Sequence, residues 1–403
     1  MRKKITILII LIVALIIATI PMLVASDRVS EGGNYIIGDE FFINQDSALV
    51  LNQELLDSFS RTRTGDILYP DDYAGSFIDA EGHLNINLVE SDSRELSDII
   101  NSMISNSVRI NTHIVQHSYN DMHDLIRLFH EYWVNNPYCY VRNNMVHQYI
   151  DVFSNRVVVG LYEYNDESVA AFARLVVDSP IIVFEEALPF VHRRLILCET
   201  NTHVEDSNHS SVVPMSMGIS PGQRVYDNWG GLSAGYGVRR GNLLGFVTTP
   251  HGAPLAGTEL RFPQFGSVIG HYASPIVFSG MVDAGMVVQH NSFFVNMVEG
   301  RVIQRTPATP VAGLRVHAIS TPMGIQRDIL ITSITVNAIG LSGLVGTTGR
   351  AFDGDSGGLV YVAVGSGSTA NAIGLIVASD GQFNNMVFSR ADAINSVLNV
   401  VID

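Results

Sequence analysis

Short apolar runs separated by glycine make up most of the chain from Ser220 onward. Residues 211–403 contain 28 of the 35 glycines. Many short strands with glycine between them are typical of a β-barrel or a β-sandwich. The clearest of these runs lie at residues 235–238, 243–247, 276–278, 286–288 and 330–336. Residues 390–401 instead place apolar side chains at helical spacing, which predicts a terminal helix docked on the sheets.

The preceding part of the chain has a different pattern. Residues 73–89 predict a hairpin around a turn at 79–82. Helical spacing of apolar residues alternates with β-rich segments, which favours a compact α+β unit over residues 70–200. The predicted helices lie at residues 47–60, 91–104, 121–134 and 166–177, and the predicted strands at 155–164 and 180–184. The polar stretch 199–211 is the best linker in the chain and predicts a boundary after residue 210.

Charge separates the same two halves. Residues 211–403 hold 10 acidic and 10 basic side chains, so the whole net charge of −15 belongs to residues 1–210. No basic patch indicates nucleic acid as a partner. An apolar content of 47% is sufficient for sizeable cores. We therefore expect an acidic N-terminal half and a neutral, glycine-rich C-terminal half with separate roles.

The first residues resemble a targeting segment. Arg2, Lys3 and Lys4 form a positive start, and residues 5–25 follow without a charge. This order predicts either a cleaved secretory signal over residues 1–26 or a membrane anchor through residues 5–25. Both interpretations place the rest of the chain outside the cytoplasm.

Residues 354–358, Gly-Asp-Ser-Gly-Gly, carry the strongest chemical signal in the sequence. A nucleophilic serine needs an exposed hydroxyl and backbone N–H groups close to the attacked carbonyl, and neighbouring glycines permit that approach. A glycine-rich turn between strands is the simpler interpretation. The catalytic interpretation of Ser356 therefore depends on finding a suitable histidine and aspartate upstream.

His251 and Asp283 are the best candidates for these two roles. His251 follows an apolar strand at a bend marked by proline and glycine, and Asp283 lies among small and apolar residues that suit a buried carboxylate. The other histidines and aspartates between His251 and Ser356 are His271, His290, His317, Asp328, Asp353 and Asp355. The order His251, Asp283, Ser356 is the order found in chymotrypsin-type barrels.

With these blocks in place, the sequence resembles the chymotrypsin-like serine proteases, in particular the bacterial branch of α-lytic protease and the streptogrisins. The matching blocks are Gly-Phe-Val-Thr-Thr-Pro-His-Gly (245–252), Val-Asp-Ala-Gly-Met-Val (282–287) and residues 354–358. The resemblance in sequence covers residues 215–403. Over residues 70–200 the resemblance is limited to the order of the parts, a long pro-region placed before the protease domain. One departure is Gly252, where the family commonly has a cysteine after the histidine.

The resemblance implies a fold, a layout and an activity. The fold is an all-β double six-stranded β-barrel with a C-terminal helix, preceded by an α+β pro-region. The layout is a signal peptide or anchor at residues 1–26, an acidic pro-region at 27–210 and a protease domain at 211–403. The activity is that of an extracellular serine endopeptidase, a hydrolase made as a zymogen, with proteins or peptides as substrates and its own pro-region as a partner. Self-processing is expected between residues 200 and 222.

The resemblance also assigns residue roles. Ser356 is the nucleophile, His251 the general base and acid, and Asp283 the residue that orients His251. The N–H groups of Gly354 and Ser356 form the oxyanion hole. Asp355, Gly357 and Gly358 shape the loop, with Arg350 as a conceivable partner of Asp355. The walls of the specificity pocket are expected near residues 347–350 and 377–380.

Other functions have weaker support in the sequence. His113 and His117 could share one helical face, but His123 and His130 complete no metal motif, so we expect neither a metal nor another cofactor. Cys139 and Cys198 are the only cysteines and lie outside the protease half, so the chain is poor in disulfides: the two are either buried thiols or partners in a single bridge. The alternative function is a non-catalytic binding or adhesion protein built on a protease-like barrel.

Overall fold

A computed structural model describes residues 39–63, 65–90, 95–103, 110–192, 195–196, 217–251, 254–264, 266–290, 292–365, 367–382 and 384–403. The predicted signal or anchor at residues 5–25 and the predicted linker at 199–211 lie outside these residues. Within the described part, no helix is long and apolar enough to cross a membrane. Residues 41–403 form one compact unit.

Helices and short strands alternate in the N-terminal half. The helices described there are α1 (Asp39–Ser58), α2 (Glu95–Met103), α3 (Tyr119–Asn135), α4 (Tyr140–Asn144) and α5 (Asp166–Leu175). The strands are β1 (Tyr73–Ile78), β2 (Leu84–Val89), β3 (Ile110–Val115), β4 (Met145–Asp151), β5 (Arg156–Leu161), β6 (Ile182–Glu186), β7 (Phe190–His192) and β8 (Leu195–Ile196). The expected α+β character of this half is confirmed.

Local sequence explains several of these elements. The side chain of Ser118 accepts a hydrogen bond from the Asp121 N–H and caps α3, and Asn165 caps α5 by accepting from the Ser168 N–H. The hairpin β1–β2 is closed at Gly82, whose φ of +87° is a conformation that favours glycine. The predicted hairpin and four predicted helices are therefore confirmed, with shifted ends.

The C-terminal half consists of β-strands and one helix. The strands are β9 (Met217–Ile219), β10 (Arg224–Asp227), β11 (Gly230–Ser233), β12 (Gly237–Arg240), β13 (Leu243–Thr248), β14 (Glu259–Phe262), β15 (Ser267–Ser279), β16 (Val282–Gln289), β17 (Ser292–Phe294), β18 (Met297–Val298), β19 (Arg301–Ile303), β20 (Arg315–Ser320), β21 (Gly324–Ala338), β22 (Leu341–Thr347), β23 (Leu359–Ala363), β24 (Thr369–Asp380), β25 (Met386–Arg390) and β26 (Val401–Ile402). The helix is α6 (Ala391–Leu398).

Strand pairing closes the first barrel. β12 pairs with β13, then β16, β15, β14 and β10 follow in order, and β10 returns to β11. Because β11 and β12 are successive parts of one bent segment, the ring closes with six strands. Phe246, Leu260 and Tyr272 are buried in its centre.

The second barrel closes without such a bend. β20 pairs with β21, and the ring continues through β22, β25, β24 and β23 back to β20. The two rings confirm the predicted double six-stranded β-barrel of the chymotrypsin-like type. They also settle the choice between a barrel and a sandwich, which the sequence pattern leaves open.

The N-terminal half shares both a sheet and a core with the second barrel. In the sheet, β4 pairs with β21 through Gln148 and Asn337, so that β4, β5 and β6 extend the barrel wall. The largest apolar cluster contains Leu55 and Phe172 from the N-terminal half together with Leu314 and Val345 from the barrel. The contact between the halves is therefore a continuous interior.

The sequence-based prediction of helices is wrong at two places within the described residues. His113 lies on strand β3 rather than on a helix, so it does not share a helical face with His117. The terminal helix ends at Leu398, because Asn399 adopts a left-handed φ of +51°. Val401 was expected on the apolar face of that helix, but it lies in β26, which pairs with β12.

Candidate active site

Ser356 lies in the loop between β22 and β23, on the second barrel. The loop is held by close backbone contacts at its glycines. A Cβ on Gly357, which has a φ of +87°, would lie 2.2 Å from Thr248 Oγ1 and 2.3 Å from the Ser233 carbonyl. A side chain at this position is therefore excluded, and the serine loop rests directly on the first barrel.

His251 follows β13 on the first barrel. It has a φ of +54°, a left-handed conformation that is unusual for histidine. Its side chain is only 8% exposed. Left-handed backbone at a non-glycine residue costs free energy and persists where surrounding contacts impose it. Here the imposing contact is Asp283, whose Oδ1 accepts from the His251 N–H at 3.0 Å.

Asp283 is near the start of β16 and is completely buried. Its Oδ2 lies 2.6 Å from His251 Nδ1, so the carboxylate accepts from both the ring and the backbone of the same histidine. The Asp283 N–H donates in turn to Ser389 Oγ at 3.0 Å. These contacts fix the histidine with its Nδ1 proton directed at the carboxylate.

The second ring nitrogen faces the serine. His251 Nε2 is 2.8 Å from Ser356 Oγ, and Ser356 Oγ also lies 3.2 Å from the Val377 carbonyl oxygen. The structure thus brings together the three residues that the sequence singles out, two from the first barrel and one from the second. This arrangement has the geometry required for a base that accepts a hydroxyl proton.

The loop also presents backbone donors beside Ser356. Among the residues that the structure describes, the N–H groups of Gly354 and Ser356 have no protein acceptor. Gly354 has a φ of +96°, and its carbonyl accepts from Ser233 Oγ at 2.9 Å. The Gly354 carbonyl is therefore engaged by Ser233, while the two N–H groups have no acceptor among the described residues and could donate to a negatively charged oxygen.

Asp355 is buried beneath the loop and stabilises it. Burial raises the pKa of the Asp355 carboxyl, and hydrogen bonds from Ser320 Oγ and from the N–H groups of Phe352 and Met323 oppose that rise. The positive charge that acts on it is Arg224. The sequence-based suggestion of Arg350 as the partner is wrong, since Arg350 is exposed and its N–H donates to Gln326 Oε1.

Two short strands of the N-terminal half pair with the two barrels. Strand β7 pairs antiparallel with residues 378–380 of β24, the segment that the sequence analysis assigns to a wall of the specificity pocket. Strand β8 pairs antiparallel with β11 of the first barrel. The edge of β24 at residues 378–380 and the edge of β11 at residues 230–231 are therefore occupied by the chain itself.

The remaining candidates from the sequence have other contacts. His271 Nδ1 lies 2.7 Å from His290 Nε2, His317 packs on Tyr361, and Asp328 is exposed. The structure describes no group of three potential metal ligands in the part of the chain it covers. Cys139 Sγ lies 3.0 Å from Tyr132 Oη, and Cys198 lies outside the described residues.

Several supporting residues escaped the sequence analysis. Ser389, Ser233, Ser320 and Arg224 all contact the triad or its loop, but each lies far from it in sequence. No local motif marks these residues, because their roles arise only when distant strands are brought together.

Comparisons with known proteins agree with this arrangement. Residues 38–113 match the family model of the Pro-like N-terminal domain, and residues 94–187 match that of the Pro-like C-terminal domain. The chain joins Pro-like domains to a chymotrypsin-like double barrel. The resemblance to bacterial proteases of the α-lytic type, which the sequence motifs indicate, is thereby confirmed.

Several solved structures of bacterial proteases are similar to the chain. Protease A of Thermobifida fusca is 23% identical, with 46% of this chain and 98% of that chain covered and a TM-score of 0.39. The Nocardiopsis protease is 19% identical, with 46% and 98% covered and a TM-score of 0.39. The Cellulomonas bogoriensis chymotrypsin is 19% identical, with 46% and 99% covered and a TM-score of 0.37. No curated protein matches the chain.

Proposed function

We propose that the chain is a serine endopeptidase made as a zymogen, with residues 27–210 as the pro-region and residues 211–403 as the protease domain. The observation that carries the proposal is the linear arrangement of Asp283, His251 and Ser356, with contacts of 2.6 Å and 2.8 Å between their side chains. The Pro-like domains support the zymogen part of the proposal.

The reaction follows from the direction of these contacts. Ser356 Oγ attacks the carbonyl carbon of a peptide bond and its proton passes to His251 Nε2. The buried Asp283 carboxylate stabilises the imidazolium that results. The N–H groups of Gly354 and Ser356 bind the oxyanion, a contribution whose loss typically lowers turnover by about 10²–10³-fold. His251 then gives the proton to the leaving amine, and water hydrolyses the acyl-enzyme.

Strand β7 explains why the intact chain would be inactive towards other proteins. A peptide substrate binds such a protease by adding a strand to a free edge. Here Phe190, Val191 and His192 already pair with Asp380, Ser379 and Ala378. The pro-region therefore occupies the edge that a substrate needs, and it must leave before another protein can bind.

The proposed site of action is outside the cell. The positively charged start and the uncharged run at residues 5–25 support export, either as a secreted enzyme or as one that remains anchored at the membrane. Sequencing the N-terminus of exported Ser356→Ala, which is expected to keep its pro-region, distinguishes a signal that is removed from an anchor that is retained.

The test compares the wild-type protein with Ser356→Ala and with Ser368→Ala, an exposed serine in a distant turn. We expect the wild type and Ser368→Ala to cleave casein and to react with a fluorophosphonate probe, and Ser356→Ala to do neither. Equal cleavage and labelling in all three proteins would contradict the proposal and favour a binding protein on a protease-like barrel.

A further inference from the structure

We propose that His271 and His290 together bind a divalent transition metal ion on the outer face of the first barrel, and that they bind Cu²⁺ more tightly than Zn²⁺. The two imidazole rings meet across neighbouring strands, with one nitrogen of each 2.7 Å apart. Binding of the metal ion does not depend on the proposed proteolysis, and it is contrary to the sequence-based expectation that the chain binds no metal.

The strand pairing of β15 with β16 brings the two histidines together. In this pair, His271 lies directly opposite Val288. The ladder continues past the end of β16, because the His290 N–H donates to the Ile269 carbonyl at 2.8 Å. His290 is therefore the diagonal neighbour of His271, two residues beyond its direct partner. Diagonal neighbours in an antiparallel pair are close enough for aromatic and long side chains to meet.

Both histidine side chains lie on the outer face of the barrel. Tyr272, which follows His271, is buried in the centre of the first barrel, and so is Val287 on β16. Because successive residues of a strand point to opposite faces, His271 and Val288 point outward, and the same alternation directs His290 outward. His271 is half-buried and His290 is exposed. A metal ion in solution can therefore reach the pair without any opening of the protein.

The nitrogens that face each other are the atoms that a metal ion would use. His271 Nδ1 and His290 Nε2 lie 2.7 Å apart, and the ring centres are 4.6 Å apart with an angle of 54° between the ring planes. A hydrogen bond between two imidazoles requires one nitrogen to donate a proton to the lone pair of the other. When a metal ion takes the place of that proton, each nitrogen has a lone pair directed at the same point.

The separation of the two nitrogens favours one coordination geometry. With metal–nitrogen distances of about 2.0–2.1 Å, two nitrogens lie about 2.9 Å apart in a square-planar site and about 3.3 Å apart in a tetrahedral one. The square-planar arrangement that is typical of Cu²⁺ therefore needs the smaller adjustment of the two rings. Cu²⁺ is also bound more tightly than Zn²⁺ by nitrogen ligands in general.

Glu259 is the acidic residue that the strand register places beside His271. It lies directly opposite His271, on β14. Its Oε2 is 2.7 Å from Arg261 Nη2, so the carboxylate already has a cationic partner. The structure therefore supports a site with two protein ligands, in which water occupies the remaining positions of the metal ion. We expect such an ion to exchange with the solution rather than to be held permanently.

The first experiment measures Cu²⁺ binding to full-length Ser356→Ala by isothermal titration calorimetry, with His271→Ala, His290→Ala or His123→Ala added in turn. His123 is an exposed histidine on α3 and serves as the matched control. We expect the tightest site to lose at least about tenfold in affinity in each variant of the pair, because each removes a direct ligand, and to be unchanged in His123→Ala. Unchanged affinity in either variant of the pair, or an equal loss in all three, overturns the proposal.

The second experiment identifies the ligands and the metal preference in the same Ser356→Ala protein, without a further substitution. At one equivalent of Cu²⁺, we expect the electron paramagnetic resonance spectrum to show coupling to two imidazole nitrogens. Coupling to fewer than two nitrogens contradicts the proposal. In a parallel titration we expect weaker binding of Zn²⁺, and tighter binding of Zn²⁺ than of Cu²⁺ would contradict the proposed preference. Unfolding temperatures measured without metal establish that the histidine variants fold.

Discussion

Asp283 accepts two hydrogen bonds from one residue, the backbone and the ring of His251. In Asp283→Asn, the amide oxygen can still accept one of them, but the NH₂ group cannot accept the other. The imidazole is then driven to the wrong tautomer, with Nε2 protonated and unable to act as a base. We expect kcat on a peptide substrate to fall by about 10³–10⁴-fold.

The control for this change is Asp328→Asn. Asp328 is the competing aspartate in the sequence, it is exposed, and its φ of +57° is one that asparagine tolerates well. We expect its kcat to equal that of the wild type. Circular dichroism of both variants separates a catalytic loss from unfolding, and a loss below about tenfold in folded Asp283→Asn would contradict the assigned role.

The sequence singled out the three residues whose side chains meet at the candidate site, but not the residues that contact them. Ser356, His251 and Asp283 each lie within a short block of characteristic neighbours, and the block carries the signal. Ser389 contacts Asp283 across 106 residues, and Ser233 contacts Gly354 across 121. A lone serine in a strand has no pattern that distinguishes it from other serines, so only the folded barrels reveal these roles.

At the scale of elements, β1 docks on the second barrel through a glycine. The Ile78 N–H donates to the Ala312 carbonyl at 2.8 Å. A Cβ on Gly313, which has a φ of +83°, would lie 1.9 Å from the Ile78 carbonyl oxygen. We therefore expect Gly313→Ala to displace β1 from the barrel and to raise the hydrogen-exchange rate of the Ile78 amide by at least about tenfold.

Gly324→Ala is the matched control, in the turn of a hairpin on the same barrel. Gly324 has a similar φ of +73°, but nothing lies within 4 Å of its added Cβ. Both variants therefore carry the cost of a left-handed alanine, about 1–2 kcal/mol, and only Gly313→Ala carries the clash. Equal exchange at Ile78 in the two variants would show that the close approach at Gly313 does not determine docking.

Helices and strands in which apolar residues repeat at a regular spacing were predicted from the sequence. Strands that form only because a neighbouring strand pairs with them were not. Helix α3 repeats buried residues at Met122, Ile126 and Phe129, which sequence spacing identifies. Strands β7 and β8 have 3 and 2 residues, too few for any period to be visible. Strands β7 and β8 form because they pair with β24 and β11, so they depend on tertiary contacts.

His317, on strand β20, is expected to make the stability of the folded protein sensitive to acid. Burial lowers the pKa of this imidazole, and the nearby Asp328 and Glu299 oppose the effect without cancelling it. The folded state therefore binds fewer protons than the unfolded state as the pH falls below about 6.5, and stability is lost over that range.

In His317→Gln this titration is absent. We expect the difference in the free energy of unfolding between pH 7.5 and pH 5 to be smaller in the variant than in the parent, when urea unfolding is measured with Ser356→Ala present to prevent self-cleavage. An equal or larger difference would show that His317 does not contribute to the acid sensitivity.

At the scale of the whole molecule, the charge pattern and the packing divide the chain differently. All of the net charge belongs to residues 1–210, which suggests two separable halves. The largest apolar cluster nevertheless runs from Leu55 and Phe172 into the second barrel, while the centre of the first barrel has its own cluster. The charge of each half can be counted from the sequence. Whether two segments share an apolar core depends on which of their faces pack together in the folded chain, and the sequence does not show this.

Because the shared cluster and the first-barrel cluster are separate, we expect cavities in them to affect different parts of the molecule. Leu314 and Leu260 are both fully buried, the first in the shared cluster and the second in the first barrel. Replacing either with alanine should cost about 2–5 kcal/mol, because each substitution leaves a cavity. Their effects on the N-terminal half should differ, because only Leu314 packs within the same apolar cluster as that half.

Hydrogen exchange with Ser356→Ala present measures this difference. We expect Leu314→Ala to reduce protection of the amides of β5, whose Val157 and Val159 are fully buried in the shared cluster, and Leu260→Ala to leave them unchanged. If both variants reduce protection in β5 equally, the molecule unfolds as one cooperative unit. If neither does, the N-terminal half holds its own core, and contact with the second barrel contributes little to its stability.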